Sequence, residues 1–303
     1  FREVSYRIRN PKYFNDLASN GIFKVLASYN STDKRYYLKT HITSQNFKRQ
    51  ENGGLTNLEH FELGEGPYSD RARADVYLEN ANSLFKGNRY HIDHSFKLSK
   101  SNPNSLVLHH KFNYENKSYK FNNPDATTRF GESYASTVSN KSNYNRLYNQ
   151  AGVSFKHFKY GDLKAYVEDI NYNIFYPSYL YTNQGLVPNN YSERINTVGA
   201  NYFYQIKNWK LYADAQIGVN GPSTSQIVAK ARYQFLPENT IELGYENMSK
   251  IPDLNFKLHQ SSYKSYNWYN DFANQKINSF YANLATKWIN LDAKYQVHND
   301  YLF

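Results

Sequence analysis

From Phe23 onward, Phe23, Val25, Ala27 and Tyr29 alternate with positions that include Lys24 and Ser28. A period of two puts the apolar side chains on one face of a β-strand. The same alternation recurs at Tyr36 to Ile42, Tyr90 to Leu98, Leu106 to Tyr114, Ala151 to Phe155, Leu163 to Val167, Val198 to Ile206, Trp209 to Val219, Ile227 to Phe235, Ile241 to Tyr245, Phe280 to Leu284 and Leu291 to Tyr301. No Asp, Glu, Lys or Arg falls on these apolar faces. The charges sit between them, at Lys39, Arg89, Lys111, Lys156, Lys164, Glu168, Lys210, Lys230, Arg232, Glu242, Glu246, Asp292 and Lys294. With Val4 to Ile8 and a run near Tyr263 to Tyr269 added, the pattern predicts about 14 strands.

Alternation alone also fits a soluble β-sandwich. Many of these runs, however, approach the roughly 9–11 residues that cross a bilayer at a tilt, rather than the roughly 5–6 of a soluble strand. Aromatics such as Tyr29, Tyr36, Trp209, Tyr233 and Tyr301 bracket the apolar stretches, as in interfacial girdles. Tight turns at 31–34, 159–162, 207–208 and 236–239 alternate with long polar segments at about 46–88, 115–146, 172–194 and 249–262. The predicted class is therefore all-β, a single transmembrane antiparallel up-and-down barrel over residues 1–303. The stretch 74–87 (ADVYLENANSLFKG) is read as extended loop with a short helix.

Composition narrows this further. The 303 residues include 31 Tyr, 19 Phe and no Cys, so disulfides, thiolate metal sites and a cysteine nucleophile are out. Aromatics at 17% exclude a disordered chain. Mean hydropathy is −0.81 and no apolar run reaches the roughly 18 residues of a helical span. The chain opens on Phe1 without a leader, which reads as a mature or truncated product. A formal charge of +10 permits anionic partners without choosing among them.

The opening YRIRNPKYFNDLASNG, the HITSQNFKRQENGGL segment, the block DRARADVYLENANSLFKGNRYHIDHSFKL and the closing NLDAKYQVHNDYLF resemble the putative porin family of Bacteroidetes-type bacteria. The resemblance implies an outer-membrane β-barrel channel in the bacterial outer membrane. It also implies that the chain is either a complete barrel or a portion of a longer one, and it supplies no catalytic or ligand residues. Phe303, after Tyr295, Val297 and Tyr301, reads either as a terminal strand signature or as the edge of an internal strand.

Chemistry-bearing constellations are weak. His91 and His94, like His109 and His110, have opposite strand parity, which argues against a shared metal ligand set, and no cofactor is expected. His94 and His110 fall on the apolar side, where pairing across strands would accommodate them. The Gly64 to Pro67 patch lacks the lysine and helix start of a phosphate loop. Glu242 and Glu246 stand about 13 Å apart on one strand, too far for a glycosidase pair. With no nucleophile elbow either, no enzyme is expected. Basic and aromatic residues occupy different faces, against a stacking platform for nucleic acid.

If the apolar faces meet lipid, the charged faces line a lumen. Counting Arg7, Lys24 and Lys97 with the basic positions above, and Asp93, Asp214 and Asp300 with the acidic ones, cations exceed anions. The expected function is passive diffusion of small hydrophilic solutes with a weak preference for anions. The expected partners are the lipid bilayer and those solutes, with other envelope proteins if the barrel instead serves as a non-conducting scaffold.

Overall fold

The computed structural model describes residues 2–9, 17–63 and 74–301, with backbone alone for 2–9. One antiparallel sheet of thirteen strands dominates it. Its members are β1 (Arg2–Arg9), β2 (Ala18–Asn30), β3 (Tyr36–Gln50), β4 (Asn82–Lys97), β5 (Val107–Asn123), β6 (Val138–His157), β7 (Gly161–Phe175), β10 (Asn190–Ile206), β11 (Trp209–Asn220), β12 (Ser225–Leu236), β13 (Asn239–Lys250), β16 (Gln275–Ala285) and β17 (Asn290–Asn299). Each pairs with its neighbour in sequence, the meander of an up-and-down wall. Two small hairpins, β8 (Leu180–Thr182) with β9 (Gly185–Val187) and β14 (Leu258–His259) with β15 (Trp268–Tyr269), lie in the connections. The helices are short, α1 at Leu58–Leu63 and α2 at Leu254–Lys257.

The all-β expectation holds, and three details change. The 263–269 run is not a wall strand; apart from β15 it belongs to the connection between β13 and β16. The strands also outrun their apolar stretches, so the loops shrink to 51–81, 124–137, 176–189 and 251–274. Asn, Ser, Lys and Tyr continue the ladder there, because a backbone already paired on both sides keeps its hydrogen bonds without apolar alternation. Finally, the second half of 74–87 joins β4, and the helix of that connection lies earlier, at α1. The Gly64 to Pro67 patch and Phe303 lie outside the described residues.

Tight turns cluster at one end of the wall. Lys207 adopts φ 50° in the two-residue link between β10 and β11, as a primed hairpin turn requires. In the β2–β3 turn, Asp33 accepts from Ser31 Oγ at 2.6 Å and Arg35 Nε at 2.6 Å, which holds its carboxyl well below the usual carboxylate range.

The apolar face is exposed along its length. Val167, Ile217, Leu243, Phe280 and Leu291 each show over half of their surface. From Trp209 to Val219 this band is about 33 Å along the strand, or about 25 Å at barrel tilt, the height of a lipid-facing belt. Its upper border is marked by Arg194 and Asp169, which form an ion pair at 2.7 Å on the same face where β7 passes from Val167 to Asp169. Within the belt, His94 Nε2 and His110 Nδ1 lie 2.9 Å apart across β4 and β5, so two polar rings satisfy each other.

Candidate functional site

Strand register puts all thirteen predicted charged positions on the other face. One row runs Lys39, Asp93, Lys111, Gln150, Glu168, Thr197 from β3 to β10. A second runs Lys210, Arg232, Glu242, Asn283, Asp292 from β11 to β17. Arg89 pairs in register with Glu115, Lys156 with Asp162, Lys164 with Asn201, Lys230 with Gly244, and Glu246 with Ser279, while Lys294 stands opposite Tyr281. The backbone of Arg7 occupies a matching register position on β1, and Asp300 lies past the end of β17.

Some acidic members of this face have local partners, while among the described residues Asp93, Glu242 and Glu246 have no hydrogen bond or ion pair. Glu168 accepts from Tyr148 Oη at 2.6 Å, Gln150 Nε2 at 2.8 Å and Thr197 Oγ1 at 2.9 Å. Glu115 is bracketed by Lys117 at 3.0 Å and Arg89 at 3.4 Å. Asn201 donates to Asp214, and Asn283 Nδ2 donates to Asp292 at 2.5 Å. Among the described residues no carboxylate lies within ion-pair distance of Lys111, Lys210, Lys230, Arg232 or Lys294. Neutral donors leave the negative charge of Glu168, Asp214 and Asp292 in place, and of the thirteen positions nine are basic and four acidic, so the face carries both signs with the basic one in excess.

Aromatics on this face are seated on glycines. The Tyr166 ring covers Gly199, where an added Cβ would lie 2.5 Å from Cζ, and Tyr281 covers Gly244, where the distance would be 2.1 Å. Tyr166 Oη donates to Gln216 Oε1 at 3.3 Å, and Lys230 Nζ lies 5.7 Å from the Tyr281 ring centroid. These rings shape the wall, a role invisible to strand parity. His41 and His91 stack on the same face at 4.8 Å. Among the described residues no group of three or more His, Asp or Glu is arranged to hold a metal ion.

The 251–274 connection does more than join two strands. It reaches from β13 to the loop ends of β5, β6, β7 and β10, three or more places away in the sheet. Tyr176 Oη donates to the Leu258 carbonyl at 3.3 Å, Lys257 Nζ to Tyr191 Oη at 3.1 Å, and Gln260 Nε2 to the Pro188 carbonyl at 2.8 Å. Asn140 exchanges hydrogen bonds with Ser261 and Ser262. Leu258 is fully buried among Ile174, Tyr176 and Val187. His259 is stacked on Trp268 at 4.7 Å, and burial lowers its pKa. The loop thus lies over the charged face at the long-loop end, a covering that sequence reading missed because its residues carry no periodic signal.

The fold is that of outer-membrane β-barrels. The ferric-catecholate import receptor Fiu of E. coli K12 superposes with a TM-score of 0.66 at 10% identity, over 97% of this chain and 53% of that one. The ferric preacinetobactin receptor BauA of Acinetobacter baumannii gives 0.61 at 10% identity, over 95% and 48%. The siderophore receptor PirA of the same organism gives 0.57 at 10% identity, over 93% and 43%. The chain thus spans about half the length of these receptors. No curated protein matches the sequence. The family model described as Putative porin matches residues 6–303, nearly the whole chain. The chain belongs to that porin family of the bacterial outer membrane.

Proposed function

We propose that the protein forms the wall of an outer-membrane channel for passive diffusion of small hydrophilic solutes, with a weak preference for anions. The carrying observation is the division of the sheet into an exposed apolar face and a charged face on which nine of the thirteen predicted positions are basic and four acidic. A spanning sheet leaves no unpaired edge in hydrocarbon, so this function requires that β1 and β17 join each other or further strands in a closed wall. A positive lining raises the local concentration of anions and lowers that of cations.

Reconstitution in planar bilayers under a salt gradient tests this. The expected result is a stepwise conductance whose reversal potential indicates anion preference. Silent bilayers, or cation preference, would count against it. The 251–274 covering favours a second reading, a barrel occluded by its own loop that serves as a scaffold; it predicts no current and co-purification with other envelope proteins.

A further inference from the structure

Between the 251–274 loop and the charged face lies a cavity of about 990 Å³. We infer that this cavity is a recognition site for a ring-bodied organic anion, an aromatic or alicyclic carboxylate. The inference rests on the reading that this face meets solutes, and it names what the face would hold. The volume is at the upper end of small-molecule sites, which are mostly apolar with a few placed polar groups.

The lining matches that description. Tyr144, Tyr172, Tyr176 and Trp268 supply ring faces, and Ile174 and Ile251 are among the aliphatic wall. The charged lining residues are Lys117, Arg146 and Asp253. Asp253 is committed to the start of α2, where it accepts from the Asn255 amide at 3.2 Å. Lys117 is paired with Glu115 at 3.0 Å. Arg146 lies beside the Tyr148 ring, 5.6 Å from its centroid, and among the described residues has no carboxylate partner. Its planar fork suits a carboxylate. Its register neighbours are Glu115 on β5, which is held by Lys117 and Arg89, and Tyr172 on β7, whose side chain is buried.

The roof is held in place beforehand. Trp268 Nε1 donates to the Asn255 carbonyl at 2.8 Å, and Leu258 anchors the loop in its small core. Such ordering lowers the cost of binding. The predominance of apolar wall favours a weakly hydrated ring over a sugar acid, which would demand hydrogen bonds all round.

Trp268 provides the readout, because Trp209 and Trp288 lie at the opposite, tight-turn end. The full chain in nanodiscs is titrated with 1-naphthoate, its neutral counterpart 1-naphthamide, and glucuronate, with calorimetry in parallel. The expected result is saturable quenching by 1-naphthoate, lost in Trp268→Phe although heat of binding remains, and much weaker binding of the other two. Arg146→Gln is expected to weaken naphthoate binding about tenfold or more. Absence of saturable binding to the folded wild-type protein, equal binding of the amide, or full affinity in Arg146→Gln would overturn the inference. Tighter binding of glucuronate would overturn the choice of ring chemistry. Naphthoate binding by protein that is silent in bilayers would remove the pore and leave the site, whereas conductance without binding would do the reverse.

Discussion

Replacing Gly199 by Ala tests whether the rings on the charged face are part of its packing. The added Cβ would lie 2.5 Å from Tyr166 Cζ, and relief to a 3.4 Å contact requires the ring to retreat by about 0.9 Å. That retreat breaks the 3.3 Å bond from Tyr166 Oη to Gln216. Overpacking costs about 1–3 kcal/mol and the lost hydrogen bond about 1 kcal/mol. The better strand propensity of Ala returns about 0.5–1 kcal/mol. The net expectation is a destabilisation of about 1–3 kcal/mol. Equilibrium urea unfolding in lipid vesicles, followed by tryptophan fluorescence, measures it. In a Tyr166→Ala background the clash has no counterpart, so Gly199→Ala should become neutral or slightly stabilising. The same destabilisation in both backgrounds would refute the ring-on-glycine account and point to the backbone instead.

Three other perturbations separate parts of the structure. His94→Leu or His110→Leu alone leaves one ring unpaired in the apolar belt and should destabilise by about 1–3 kcal/mol, while the double replacement should be near neutral; additive losses in the same unfolding assay would contradict the pairing. Leu258→Ala empties the core that anchors the 251–274 loop, at about 2–5 kcal/mol for a fully buried leucine. Proteolytic nicking within that loop should accelerate while the wall strands stay protected, and uniform loosening would contradict the anchoring role. Joint Lys230→Glu and Arg232→Glu should shift the reversal potential toward cations, and an unchanged value would remove these residues from the conduction path.

Parity reading placed the thirteen charged positions on one face because each strand there pits an uninterrupted apolar row against polar neighbours, and a one-residue slip would invert both. His94 and His110 show the same rule at its limit: sequence parity put them on the apolar face, and cross-strand register brought their rings within hydrogen-bond distance. Where the contrast between faces fades, in the Asn-, Ser- and Tyr-rich upper segments such as 115–123 and 138–146, alternation carried no signal and strands were read as loop. The run at 263–269, counted as a wall strand, lies in the connection between β13 and β16, where Tyr263 bridges to Ser133 of a distant loop.

The alternation along this chain determined its class, its membrane-facing side and the side that carries charge, because those properties repeat every two residues and survive without knowledge of any distant contact. Only the tertiary structure decided how far the wall extends past the apolar belt, which carboxylates are engaged, and where the 251–274 loop lies. Each of those depends on groups that are far apart in sequence: Asn140 with Ser262, Tyr176 with Leu258, and Glu168 with Thr197 meet only after the strands have paired.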